Sequence, residues 1–140
     1  MSKGASCVFC RIVREEIRAE VVHTSPRAIA FLDVRPLADG HVVVIPRTHV
    51  ERVADLEAVD AEGLFLAVAA LAGPVQRAVG GEGTTIAIND GEVTGQAIPH
   101  VHVHIVPRRR GDGAGSIHSL FPRGQRQPLA SIAAAIRKEM

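Results

Sequence analysis

His100-Val101-His102-Val103-His104-Ile105-Val106 is the stretch on which the fold of this chain turns. In extended backbone successive side chains point to opposite faces, so the three histidines share one face and Val101, Val103 and Ile105 the other. The segment therefore reads as a strand with one side apolar enough for a core and one side lined with imidazoles. Imidazole exchanges its proton near neutral pH, acts as a nucleophile and binds metals. Three of the seven histidines in one row mark a chemical site.

Working outward, Glu20–His23 and Ala28–Asp33 read as a hairpin around Thr24-Ser25-Pro26-Arg27. His41–Ile45, closed by Pro46, is a third strand, Thr84–Asn89 a fourth and His100–Val106 a fifth. Val8, Phe9, Ile12 and Val13 recur at helical spacing behind Ser6, a suitable N-cap, so a short helix is predicted near the N-terminus. Thr48-His49-Val50-Glu51 matches the capping box S/T-x-x-E and predicts a helical turn with His49 in its first turn.

Leu64, Val68, Leu71, Val75 and Val79 form the stripe of a long amphipathic helix over Asp60–Val79, with a bend expected at Gly73-Pro74. Residues 1–6 and about 109–127 read as loop, and Leu129–Lys138 as a C-terminal helix at about 128–139. Strands, then a helix, then strands give an α+β fold: an antiparallel sheet of about five strands with helices on one face, in a single domain over 1–140.

Composition narrows the function. The net charge is +1 and there is no Trp or Tyr; Phe9, Phe31, Phe65 and Phe121 are the aromatic residues besides histidine. A chain with neither a basic field nor stacking aromatics is a poor nucleic-acid binder. Met1–Ser6 has no apolar signal region, and no apolar run looks long and charge-free enough to cross a bilayer. With two closely spaced cysteines, these features point to a soluble, cytoplasmic protein. Cys7 and Cys10, three apart, place both sulfurs on one face of a helix or turn. That spacing serves redox and metal sites alike. A single zinc held by all three triad histidines is a rival metal reading.

Four stretches occur together in order: Cys7-Val8-Phe9-Cys10-Arg11-Ile12, Ala30-Phe31-Leu32-Asp33-Val34, Gly40 through His49, and Gly95-Gln96-Ala97-Ile98-Pro99-His100 running into the triad. In these the chain resembles the histidine triad (HIT) superfamily of nucleotidyl hydrolases and transferases, in its bacterial Hint-like, zinc-containing branch. The resemblance implies a HIT-like fold and catalysis without a catalytic metal. It makes His102 the nucleophile that forms a nucleotidyl-histidine, His104 a phosphate and leaving-group contact, and His41 the histidine behind the nucleophile. Gln96 would bond a bridging or phosphate oxygen, with Gly95 and Ala97 beside it.

The same resemblance makes Asp33 the ribose ligand, Phe31 and Val34 a sandwich around the base, and Asn89 a contact at the phosphate end. Asp33 and Asn89 also read as ordinary turn residues before Arg35-Pro36 and Asp90-Gly91. Cys7, Cys10, His49 and His100 would hold zinc in a closed, structural Cys2His2 set. A purine nucleotide substrate and a homodimer joined through the long helix and fourth strand are further implications.

Chemistry agrees with the roles. Attack on an α-phosphorus needs an unprotonated nucleophile at pH 7, donors for charge on oxygen, and a stabilised leaving group; an imidazole of pKa about 6.5 meets the first need and Lys does not. Two departures bear on the leaving group. Ala97 stands where Hint-type phosphoramidases carry serine, and the chain lacks the Trp-Pro-Pro-Gly ending of animal Hint proteins. Val106-Pro107-Arg108 is shared with Fhit-type dinucleoside polyphosphate hydrolases as well as bacterial relatives. Arg108, Arg109 and Arg110 read either as a solvated edge or as contacts to distal phosphates. Expected activities are thus cleavage of a nucleoside 5′-phosphoramidate or related α-phosphate bond, alternatively of a dinucleoside polyphosphate, or nucleotide binding as an adaptor with incidental hydrolysis.

Overall fold

The structure, a computed structural model, describes residues 3–124 and 126–140. Two short helices, α1 (Lys3–Ser6) and α2 (Val8–Val13), precede strands β1 (Val21–Thr24), β2 (Ala28–Leu32) and β3 (Val42–Pro46). The long helix α3 (Ala58–Ala78) leads to β4 (Gly83–Ala87) and β5 (Val103–Arg108), and α4 (Leu129–Glu139) ends the chain. All pairings are antiparallel in the order β1-β2-β3-β5-β4, so β5 inserts between β3 and the edge strand β4. The fold is α+β and HIT-like.

Alternation in the strands builds two apolar layers, one on each face. Ala28, Ala30, Val42, Val44, Val101, Val103 and Ile105 pack on Leu64, Ala67, Val68, Leu71 and Val75 of α3. Ile29, Phe31, Val43 and Ile45 face the other way, under Cys7, Phe9, Cys10 and Ile12 of the α2 region. The expectation of helices on one face is corrected: β2 and β3 are apolar on both sides, and only a cover on each side removes both from water.

α3 is long and apolar enough, by length and composition alone, to cross a membrane, which corrects the expectation that no such run exists. Its buried stripe nevertheless lies on the sheet, where each large side chain contributes about 1.5–3 kcal/mol on burial. The helix continues through Gly73-Pro74 without interruption. Pro74 and Ala70 are both exposed, so the carbonyl freed by the missing Pro74 N–H can turn to water. Gly40, at φ +82, makes the turn into β3; a Cβ there would meet Val79 at 3.0 Å.

Several boundaries differ from the sequence expectation. Lys3–Ser6 is a helical turn rather than loop, and Cys7, not Ser6, is the N-cap of α2. No helix starts at Thr48; the segment is bent and extended until a 3-10 turn at Val53–Asp55. The reason is that the carbonyls a helix would need are committed elsewhere. Val50 O accepts Val101 N–H at 2.7 Å and Glu51 O accepts Gln96 Nε2 at 2.9 Å. The fifth strand starts at Val103, not His100, because Val101 N–H bonds the Val50 carbonyl and His100 N–H the Ile98 carbonyl rather than the sheet. The 109–127 segment includes a 3-10 turn at Ile117–Leu120.

Candidate functional site

The row of histidines divides into two sites that share one residue. His100 is fully buried, and its Nε2 lies 2.8 Å from the Pro46 carbonyl. A carbonyl only accepts, so Nε2 carries the proton and Nδ1 presents a lone pair. That lone pair faces Cys7 Sγ at 3.6 Å and Cys10 Sγ at 3.5 Å. Cys10 Sγ is also 3.2 Å from His49 Nδ1. The four ligand atoms of Cys7, Cys10, His49 and His100 all lie within 4.8 Å of one another.

These separations test the metal expectation directly. Tetrahedral zinc with its usual bond lengths places sulfur and nitrogen about 3.5 Å apart, close to what the cluster has. His49 Nε2 is the buried side-chain polar atom left without a partner among the described residues. The other ring nitrogen, Nδ1, is the one that faces Cys10 Sγ and the cluster. Burial, with Cys7 beside it, pushes the Cys10 thiol up to about 11, so a cation is needed to make it a thiolate at neutral pH. Burial, partly opposed by the Pro46 bond, brings His100 down to about 4, leaving a neutral ring. The donor set fits zinc.

The second site begins at the His100 backbone. Its carbonyl lies 2.7 Å from His102 Nδ1, which must therefore be the protonated nitrogen. A neutral His102 then has a bare Nε2. The sequence requires some acceptor here without revealing which; the structure supplies the preceding histidine.

His104 has the opposite polarity, and the cause lies directly after Pro36, where the Leu37 N–H donates to His41 Nδ1 at 3.0 Å. An amide nitrogen can only donate, so His41 carries its proton on Nε2. His41 Nε2 is 2.9 Å from His104 Nδ1, which thus accepts and leaves His104 with its proton on Nε2. His41 stands behind His104, and not behind His102 as the resemblance implied. Burial, then the neighbouring His102 and His41, lower His104 to about 4 against the pull of Asp33, and burial lowers His41 too. Asp33 Oδ2 lies 3.6 Å from His41 Nε2. The ligand atoms of Asp33, His41 and His104 are close enough for a metal, but the two imidazole nitrogens aim at each other with ring centroids 5.1 Å apart. That is the geometry of a shared proton, not of a chelate.

Other expected residues are placed less simply. Gln96 is committed at both ends: its Oε1 accepts from Gly91 N–H at 2.7 Å and its Nε2 donates to Glu51 O. It ties the loop across rather than facing a phosphate. Gly95, in left-handed backbone at φ +96, and Ala97 are exposed beside it. Asn89 is half-buried with its amide uncommitted among the described residues. Asp33 Oδ1 accepts from Arg35 N–H at 2.8 Å, so it is both a turn residue and part of the site.

Phe31 and Val34 do not form a sandwich. Phe31 is 4% exposed and packed edge-on against Phe9, whereas Val34 is 91% exposed. The chain turns at Asp33 and carries Val34 off the sheet. The Arg108 guanidinium is held by Asp112, Thr85 and Gly115, Arg109 donates to the Val79 carbonyl, and Arg110 lies by Glu82. Arg108 is built into the fold, whereas Arg109 and Arg110 lie at an exposed edge. Three contributors went unassigned in the sequence: Phe9, and the backbone groups of Leu37 and Pro46. Phe9 carried a signal, being one of four phenylalanines and lying between the cysteines; backbone groups carry none.

An α+β domain with these histidine sites is the architecture of histidine triad proteins. Residues 14–111 match the HIT domain family, and the chain belongs to it. The crystal structure of a HIT family member from Bacillus subtilis superposes with a TM-score of 0.86 at 32% identity, covering 96% of this chain and 97% of that one. A Zn-bound histidine triad family protein from Mycobacterium smegmatis gives 0.75 at 34% identity, over 80% and 81% of the two chains. A bis(5′-adenosyl)-triphosphatase of Dictyostelium discoideum is 36% identical over 95 residues, 68% of this chain and 64% of that protein.

Proposed function

We propose that this protein is a nucleotidyl hydrolase that cleaves a nucleoside 5′-phosphoramidate or related α-phosphate bond through a nucleotidyl-His102 intermediate. The observation that carries this reading is the opposite polarity of two adjacent imidazoles. His102 offers a bare Nε2 and His104 an Nε2–H, with ring centroids 5.0 Å apart. One is built to attack phosphorus and the other to donate to oxygen or the leaving atom beside it.

In the first step a bond forms between His102 Nε2 and the α-phosphorus while the bond to the leaving group breaks. His104 stabilises charge by donation. As a neutral ring it donates without surrendering its proton, so a leaving amine takes its proton from water, and the hydroxide left behind takes up the proton that the hydrolytic water later releases. Water then attacks the phosphorus, releasing the nucleoside monophosphate and restoring His102. Asp33 would accept from ribose hydroxyls and Asn89 would contact phosphate. Zinc held by Cys7, Cys10, His49 and His100 would brace the site and enter no step.

A homodimer is part of the proposal. Phe65 and Leu66 on α3, with Ile86 on the edge strand β4 and Ile88 just after it, are exposed apolar residues that a second copy would cover. Two buried free thiols suit a reducing compartment, which supports a cytoplasmic location.

The triphosphatase relative favours a second reading, dinucleoside polyphosphate cleavage. Steady-state hydrolysis of adenosine 5′-phosphoramidate beside diadenosine tri- and tetraphosphate, with wild type and His102→Ala, tests both. Faster P–N cleavage lost in the variant is the expected result. Faster polyphosphate cleavage would select the second reading, and no His102-dependent turnover of any of them would leave a nucleotide-binding protein.

A further inference from the structure

We infer that Phe9 is a positioning residue for His102, and that the Cys7–Cys10 cluster holds the catalytic ring in place through it. This rests on His102 being the attacking residue.

Phe9 lies inside Cys7-Val8-Phe9-Cys10 and is 6% exposed. Its ring meets His102 at 5.1 Å and 75°, His100 at 5.8 Å and 82°, and Phe31 at 5.6 Å and 60°, all edge-on. Among the described residues, the His102 ring is held by a hydrogen bond from Nδ1 to the His100 carbonyl. One such bond selects which nitrogen faces inward, and it alone would have to hold the ring against a swing about its Cβ–Cγ bond. Near-perpendicular neighbours, Phe9 and His104, block that swing. The direction of the Nε2 lone pair therefore depends on where Phe9 stands.

Phe9 cannot hold its own place by helix formation. α2 has 6 residues, too few for a helix to persist unaided. It is fastened on both sides of Phe9, by Cys7 Sγ toward His100 and by Cys10 Sγ toward His49 and His100. Both supports of His102 thus lead to the same cluster: the carbonyl belongs to His100, and the ring wall belongs to the residue between the cysteines. Disturbing the cluster should mis-set the nucleophile without touching it.

The test is long-range 1H–15N correlation on protein labelled at histidine, which reads the tautomer of each ring, alongside kcat for the phosphoramidate. Wild type should show His102 as a single Nδ1–H tautomer. Phe9→Ala should mix the two tautomers at His102, leave His104 as Nε2–H, and lower kcat by about tenfold or more. Phe9→Leu, which keeps apolar volume without a ring, should fall between, and it decides the matter if Phe9→Ala does not fold. Cys10→Ser should mix the His102 tautomers in the same way. An unchanged His102 tautomer and kcat in Phe9→Leu and in any folded Phe9→Ala overturns the positioning role; an unchanged tautomer in Cys10→Ser overturns the link to the cluster. Turnover surviving in His102→Ala would instead overturn the parent reading.

Discussion

His41 bonds His104 and not His102: its Nε2 lies 2.9 Å from His104 Nδ1. Since the Leu37 amide occupies the other nitrogen of His41, the proton between the rings belongs to His41, and His104 must point an N–H outward. One backbone amide therefore sets the polarity of the His104 ring through the single side chain between them.

Replacing His41 with alanine removes that control. His104 can then take either tautomer, and the donation from Nε2 proposed for it is no longer assured. His41→Ala should lower kcat by about 10- to 100-fold while KM changes little, because the lost interaction is one strengthened in the transition state. A matching rise in KM with unchanged kcat would mean that His41 serves ground-state binding.

Because His104 is neutral well below pH 7, its donor does not titrate away in the alkaline direction. The kcat profile should lack an alkaline limb between about pH 7 and about pH 9. A His104 acting as an imidazolium acid would instead lose activity through this range. Rates across that interval decide between donor and acid.

The same depression has a stability consequence with a definite sign. Below the ordinary value of 6.5 the unfolded chain takes up a proton at His104 that the folded protein refuses until about 4. Stability is full above pH 6.5 and is lost as pH falls through that window. Thermal melts should show a steeper acid decline for wild type than for His104→Gln, and equal slopes would contradict it.

Metal content should be one zinc per chain, with the Cys10→Ser variant losing it. Since such a cluster fastens the α2 region to the segments carrying His49 and His100, chelation should lower Tm by at least about 5 °C. An unchanged Tm after verified metal removal would leave the cluster without a structural role.

Gln96 offers a contrast between two roles. As a tie between Gly91 and Glu51, it should be missed in the loop: Gln96→Ala should speed amide exchange over residues 91–98 by taking the acceptor from the buried Gly91 N–H, at about 1–3 kcal/mol. A direct phosphate ligand would raise KM and leave exchange alone.

What the sequence by itself determined was set by local periodicity and spacing. Alternation at 100–106 separated Val101, Val103 and Ile105 from the imidazoles, the Leu64–Val75 stripe defined α3, and Cys7 with Cys10 marked the cluster to which His49 and His100 belong. Such patterns survive in one dimension because strand and helix repeats are fixed by the backbone. What only the tertiary structure decided depends on groups far apart in the chain or invisible as residue types. The capping box at Thr48 lost to hydrogen bonds from Val101 and Gln96; Phe31 went into the core and Val34 to solvent; and amide and carbonyl groups of Leu37, Pro46 and His100 assigned a tautomer to each neighbouring ring. Every residue has an amide and a carbonyl, so their identity as proton directors arises only when folding brings one within hydrogen-bond reach of an imidazole.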